Sequence, residues 1–118
     1  MVEPAPCVAP GETSGLTLDH SGGEIGTTTL IWSPPADPGT DPVQYDTISS
    51  AIVDDFFSLD VATCVESDGA DTSSVDLTVP LPNQAIYYLI RAESACGSGS
   101  VGTDSLGSSR LVRECVGP

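Results

Sequence analysis

Apolar residues in this chain recur at every second position over short runs, with turn formers between the runs. Leu16 and Leu18 alternate with polar neighbours in 15–20, Leu30 and Trp32 mark 27–33, and 43–50 reads as a third strand. The segment 61–67 reads as a further short strand, and Val75, Leu77 and Val79 define 75–79. The strongest run is 85–94, where Ile86, Tyr88, Ile90 and Ala92 share one face and Tyr87, Leu89 and Arg91 the other. Such period-two alternation belongs to strands lying on a sheet. Turns or loops are expected at 21–26, 34–42, 68–74 and 80–84, all rich in Gly, Pro, Asp or Ser. Only 51–60 departs from the pattern. Ile52 with Phe56, and Val53 with Phe57, are spaced four apart, which one helical turn would place on one side. An irregular crossover fits them equally well. With the closing RLVREC, about seven short strands with turns every ~8–12 residues predict an antiparallel β-sandwich.

Composition narrows the reading. At 118 residues the chain is one domain with a single modest core. Its 12 Gly and 10 Pro disfavour helices. Seventeen acids face three arginines (Arg91, Arg110, Arg113) and no lysine, for a net charge of −14. That surface repels phosphate backbones and anionic headgroups, so no nucleic acid partner is expected and anionic membrane surfaces are disfavoured, with no membrane insertion. It suits solubility, divalent cations and saline surroundings. The missing lysines exclude Schiff-base and isopeptide chemistry.

Cys7, Cys64, Cys96 and Cys115 are widely spaced without a CxxC, and His20 is the only histidine. Disulfides are therefore expected over zinc, and with them an oxidising compartment: secreted, extracellular or cell surface. No apolar run reaches membrane-spanning length. The first residues lack the basic and apolar regions of a signal peptide. The expectation is a mature segment with an added Met, taken from a longer secreted protein. Residues 1–13 form a Pro-rich leader or edge segment, 14–115 the sandwich and 116–118 a tail.

The first half, LTLDHSGGEIGTTTLIWSPPADPGTDPVQYDTIS, resembles a fibronectin type III domain: Leu30 and Trp32 form its L-x-W pattern, Pro34 and Pro35 open its proline-rich loop, and Tyr45 begins the next strand. IYYLIRAESACGSGSVG is similar to the later strands of that family and to modules of large secreted bacterial proteins. The resemblance covers roughly residues 14–113. It implies an all-β, seven-stranded, immunoglobulin-like/fibronectin type III-like sandwich, with Leu30, Trp32, Tyr45, Tyr88 and Ile90 in the core. On this reading Trp32 ends its strand because the indole fills the space between the sheets, and Pro34 and Pro35 end the ladder. Three departures stand out. Ile86 occupies the tyrosine-corner position, 50–74 is longer than usual, and no RGD triplet is present.

In that frame Cys64 and Cys96 lie toward one pole and are expected to pair. Cys7 and Cys115 then close a bridge within the chain, or link one copy to the next. Glu66, Asp68 and Asp71 are candidates for a weak calcium site, but the twelve-residue EF-hand spacing is missing, and a solvated acidic loop is the ordinary reading. No other cofactor is expected. No GxSxG is present, and GSGSVG lacks the lysine of a phosphate loop. The chain is therefore expected to be no enzyme. Tyr87 and Leu89, if uncovered, offer a patch for a glycan, a protein or a second copy. The function expected is a structural or spacer module, in tandem or fibrous arrays. The alternative is an extracellular carbohydrate- or protein-binding adhesion module.

Overall fold

A computed structural model of the chain describes residues 7–19, 27–79, 82–102, 107 and 110–115. The expected turn at 21–26, His20, positions 80–81, most of 103–109, the start of the leader and the 116–118 tail lie outside the described residues. Seven strands are present among the described residues: β1 Ser14–Asp19, β2 Thr28–Ser33, β3 Gln44–Ser50, β4 Ala62–Gly69, β5 Ser73–Asp76, β6 Tyr87–Ser94 and β7 Gly97–Ser98. They form two antiparallel sheets, β1-β2-β5 and β4-β3-β6-β7.

Between the sheets, Leu30 and Trp32 of β2 meet Tyr45, Ile90 and Ala92 of the larger sheet, with Leu16, Val43 and Tyr88 packed around them. Trp32 and Tyr45 sit edge to face, ring centres 5.5 Å apart, a geometry worth about 0.5–1.5 kcal/mol beyond the area buried. The expected core is thus assembled in one cluster. β3 and β6 set its register: Tyr45 opposes Ala92, Thr47 opposes Ile90 and Ser49 opposes Tyr88.

A second cluster lies on the outer face of the larger sheet. It holds Ile48, Phe56, Ala62 and Cys115, with Cys64, Leu89 and Val112 packed against it. Two segments cover this face, the 51–61 crossover and a terminal strap, 110–115. Phe56 bridges Val112, and Arg113 donates from its amide to Phe56 O at 2.8 Å and from Nη1 to Ala62 O at 2.7 Å. The crossover is irregular: it contains no helix, only hydrogen-bonded turns at 52–55 and 58–62, and Ile52 stays exposed while Phe56 is buried. Phe56 is drawn inward while Asp55 Oδ1 accepts the amides of Phe57 and Ser58 at 3.1 and 2.9 Å.

Three strands differ from expectation: the closing RLVREC makes only an isolated bridge at Val112, and the seventh strand is β7 at Gly97–Ser98 instead. β4 runs on through the polar residues Glu66–Gly69, into the expected loop. A bulge there sets Ser67 and Asp68 against Asp46 alone. Asp68 adopts φ 57°, and its amide donates to Asp46 Oδ1 at 3.0 Å. β5 begins and ends earlier than expected, at Ser73–Asp76, leaving Leu77 and Val79 exposed beyond it.

The disulfides are Cys7–Cys96 and Cys64–Cys115. The expected pairs, Cys64 with Cys96 and Cys7 with Cys115, are not formed. Because 62–69 is a full strand antiparallel to β3, Cys64 lies opposite Ile48 on the outer face, away from the β6–β7 turn that carries Cys96. No free cysteine is left for a link between copies. The described part of the leader packs against the fold. Its Gly11 amide donates to Asp37 O at 2.7 Å, and Val8 and Thr40 exchange bonds at 2.9 and 3.1 Å. A Cβ on Gly39 or Gly99 would collide with the leader's Val8 or Gly11 carbonyl.

Candidate functional site

The strongest chemical grouping lies on the outer face of the larger sheet, near the leader's pole. The ladder sets Asp46 opposite Arg91 and Gln44 opposite Glu93, and the β4 bulge brings Asp68 alongside. Asp46 is fully buried, and its Oδ2 accepts from Arg91 Nη2 at 2.7 Å. Glu114 of the strap reaches the same Nη2 at 3.5 Å, but its side chain is exposed. Carboxylate oxygens of Asp46, Asp68 and Glu93 lie within 4.8 Å of one another. Burial pushes the Glu93 carboxyl up to about 8, helped by hydrogen bonds and charge from Asp68 and Asp46. Glu93 therefore holds a proton at neutral pH, which relieves the repulsion among three acids that share one arginine. These three residues are also the ones that could hold a divalent cation. They offer three oxygens where calcium takes about 6–8, and Arg91 already engages Asp46.

The three calcium candidates read from sequence do not form one group, although Glu66 and Asp71 lie close enough for their charges to interact. Glu66 lies opposite Thr47, and its carboxyl is raised by burial and by the charge of Asp71, against a hydrogen bond from Ser74. Asp71 Oδ1 accepts the Ser73 amide at 3.4 Å, and Asp68 belongs to the Asp46 cluster instead. The Tyr87–Leu89 patch forms only in part. Tyr87 is 38% exposed, but Leu89 is packed in the second cluster under Phe56 and Val112. Two shallow grooves of about 270 and 280 Å³ flank β6 and share Tyr88, Leu89 and Arg110. Both fall just under the usual range for small-molecule sites, roughly 300–1,000 Å³.

Sequence reasoning missed the roles of Asp46, Glu93 and Asp76. The available signal was an acid flanked by strand residues, Asp46 between Tyr45 and Thr47, and an arginine inside the most apolar run. Asp76 joins the two sheets. Its Oδ2 accepts from the Tyr88 hydroxyl at 2.7 Å, and its Oδ1 accepts from the Thr78 amide and hydroxyl at 3.0 and 2.7 Å. Burial, with this carboxylate as partner, pushes the Tyr88 phenol up to about 12. With Ile86 at the corner position, a tyrosine two residues later makes the bond between layers.

No protein-family model matches the chain, and no curated protein matches it. A solved structure titled "Titin kinase and its flanking domains" matches 76% of this chain, with a TM-score of 0.58 and 15% identity. The fold is immunoglobulin/fibronectin type III-like. The match spans 15% of the titin chain, and at this identity it carries fold alone. Two disulfides in so small a domain fit an oxidising, extracellular setting. Among the described residues, no helix is long and apolar enough to cross a membrane.

Proposed function

We propose that this chain is a non-catalytic spacer module of a secreted or cell-surface protein of the bacterial kind its sequence resembles, built to keep its shape under tension. The observation that supports this reading is how the two cross-links join the ends. Load applied between Cys7 and Cys115 passes across Cys7–Cys96 and then along the 19 residues from Cys96 to Cys115. Those residues limit the extension to about 65 Å, whereas the uncross-linked stretch from Cys7 would reach roughly 370 Å. The strands from β1 to β6 stay slack inside the closed loops.

Force spectroscopy on the oxidised module, held by handles at its two ends, tests the reading. Unfolding should lengthen the Cys7–Cys115 span to no more than about 65 Å, and reduction should release several-fold more. A full-length gain under oxidising conditions would refute a load-limiting role.

A further inference from the structure

The larger sheet has an open edge. β7 pairs with β6 only at Glu93 and Ser94, and bonding stops where the Gly99 amide donates to Ala92 O at 2.7 Å. Main-chain groups alternate sides along a paired strand, so that bond fixes the direction of the rest. The N–H and C=O of Tyr88 and Ile90 point away from β3, and those of Leu89 and Arg91 point toward it. Among the described residues, no backbone group bonds Tyr88 or Ile90 on the open side, and Ile90 O receives only the Thr13 hydroxyl, at 3.4 Å. The chain beyond β7 does not continue the ladder. Gly102 has φ 90°, and its carbonyl accepts the Arg110 amide at 3.0 Å, which closes a loop on itself.

The two grooves beside β6 follow this edge. Leu18, Phe56 and Tyr87 wall one, Leu16 and Val101 the other, and Arg110 lies on both. Two of the three arginines are engaged: Arg91 by Asp46, and Arg113 by the carbonyls of Ala62 and Glu114. The Arg110 guanidinium has no partner among the described residues. Glu12 shares one groove with it, yet the two form no ion pair.

We propose that the edge of β6 along Ile86 to Ile90 accepts an extended segment of a partner protein as an added strand, with a carboxylate side chain against Arg110 and aliphatic side chains in the two grooves. Each part of the occupant answers a feature of the edge. Outward N–H and C=O groups at a strand's spacing are matched by another extended backbone. The apolar walls take the side chains that alternate along it. Arg110 selects an acid, in opposition to the net charge of −14, which draws basic segments to other parts of the surface. A compact ligand is the poorer fit, because neither groove reaches the usual ~300 Å³. The inference goes beyond the load-limiting reading and stands without it.

The test is amide hydrogen exchange, read by NMR on the oxidised chain, with the capped peptide TVTVEVT as probe. In the free protein the Leu89 and Arg91 amides should be protected, and those of Tyr88 and Ile90 should exchange about tenfold faster or more. The probe should bind with a Kd below about 1 mM and slow both edge amides. A lysine in place of its glutamate should weaken binding about threefold, and so should Arg110→Gln with the original probe. Net charge alone requires the reverse order for the two peptides. A fully N-methylated probe, which keeps the side chains and loses the donors, should not bind. Leu18→Glu in the groove wall should weaken the acidic probe, while Leu59→Glu on the crossover should leave it unchanged; both positions are exposed, so the fold tolerates either change. Tyr88 and Ile90 amides already protected in the dilute free protein would show the edge to be covered and overturn the proposal. So would the absence of binding at about 1 mM probe, a lysine peptide that binds better, or an N-methylated one that binds equally well. Protection that grows with protein concentration alone would make a second copy the occupant, and the proposal would fall.

Discussion

Replacing Cys64 and Cys115 together by alanine should detach the terminal strap from the outer face. The bond closes 51 residues, for which loop entropy contributes about 4 kcal/mol. Cys7–Cys96 does little to reduce that, because the route through it is no shorter than the direct one. The strap also carries Val112 and Cys115 against Ile48, Phe56 and Leu89, so any loosening adds lost packing of about 1–3 kcal/mol. For a chain of 118 residues, the entropic part alone lowers Tm by roughly 15 °C. Calorimetry of the oxidised protein and the variant measures this, and hydrogen exchange locates it. Protection should fall first in 51–61 and 110–115, while β2 and the inner face of β6 keep theirs until global unfolding. A Tm within a few degrees of wild type, with exchange in 51–61 unchanged, would show that packing and the Arg113 bonds hold the strap without the disulfide, and the reasoning would fail.

Three shorter expectations follow from the buried polar groups. Tyr88→Phe leaves the Asp76 carboxylate short of one donor inside the sandwich and should cost about 1–3 kcal/mol, read as a lower urea midpoint; no change would mean that water replaces the phenol. Glu93 is raised in the folded state, so its contribution to stability is whole below pH ~4.5, where the unfolded chain also carries the proton. That contribution falls as pH rises and is gone above about 8. Urea midpoints between pH 5 and 9 should decline less steeply in Glu93→Gln, and equal slopes would place the proton elsewhere. Millimolar calcium should move Tm by less than about 2 °C, because Glu66, Asp68 and Asp71 are not assembled. A large rise that Asp68→Asn removes would mean that the Asp46–Asp68–Glu93 group opens to a cation.

The inner core was legible because alternation in β2 and β6 matches the pleat, and Trp32 before Pro34 fixes where the ladder ends. Other features depend on forces that alternation does not register. β5 follows the bonds of Asp76 rather than the hydrophobicity of Val75, Leu77 and Val79. β4 extends through Glu66–Gly69 because the neighbouring strand supplies Asp46 to satisfy a bulged amide. The disulfide pairing turned on one direction, that of β4, which decides where Cys64 points. The strap was invisible for a simpler reason. In RLVREC only Val112 and Cys115 pack into a cluster, too few to show a face. The acidic cluster needs the register of β3 on β6, which no local pattern encodes.

Charge and cross-links answer one problem. A chain of this size buries only about two thirds of the surface its unfolded form exposes, and here some of that burial is spent on Asp46, Arg91, Ser74 and Asp76. Fourteen net negative charges then push the folded state apart more than the expanded one. A larger apolar core would be the ordinary remedy. This chain instead folds its ends back, placing the leader at one pole and the strap over the outer face, and fixes both covalently. Each cross-link keeps the unfolded chain compact, so part of the charge repulsion is present before folding and no longer opposes it. The same bonds let the sheet surface carry Ile31 and Val75 outward, because stability no longer depends on burying every aliphatic side chain the sequence contains.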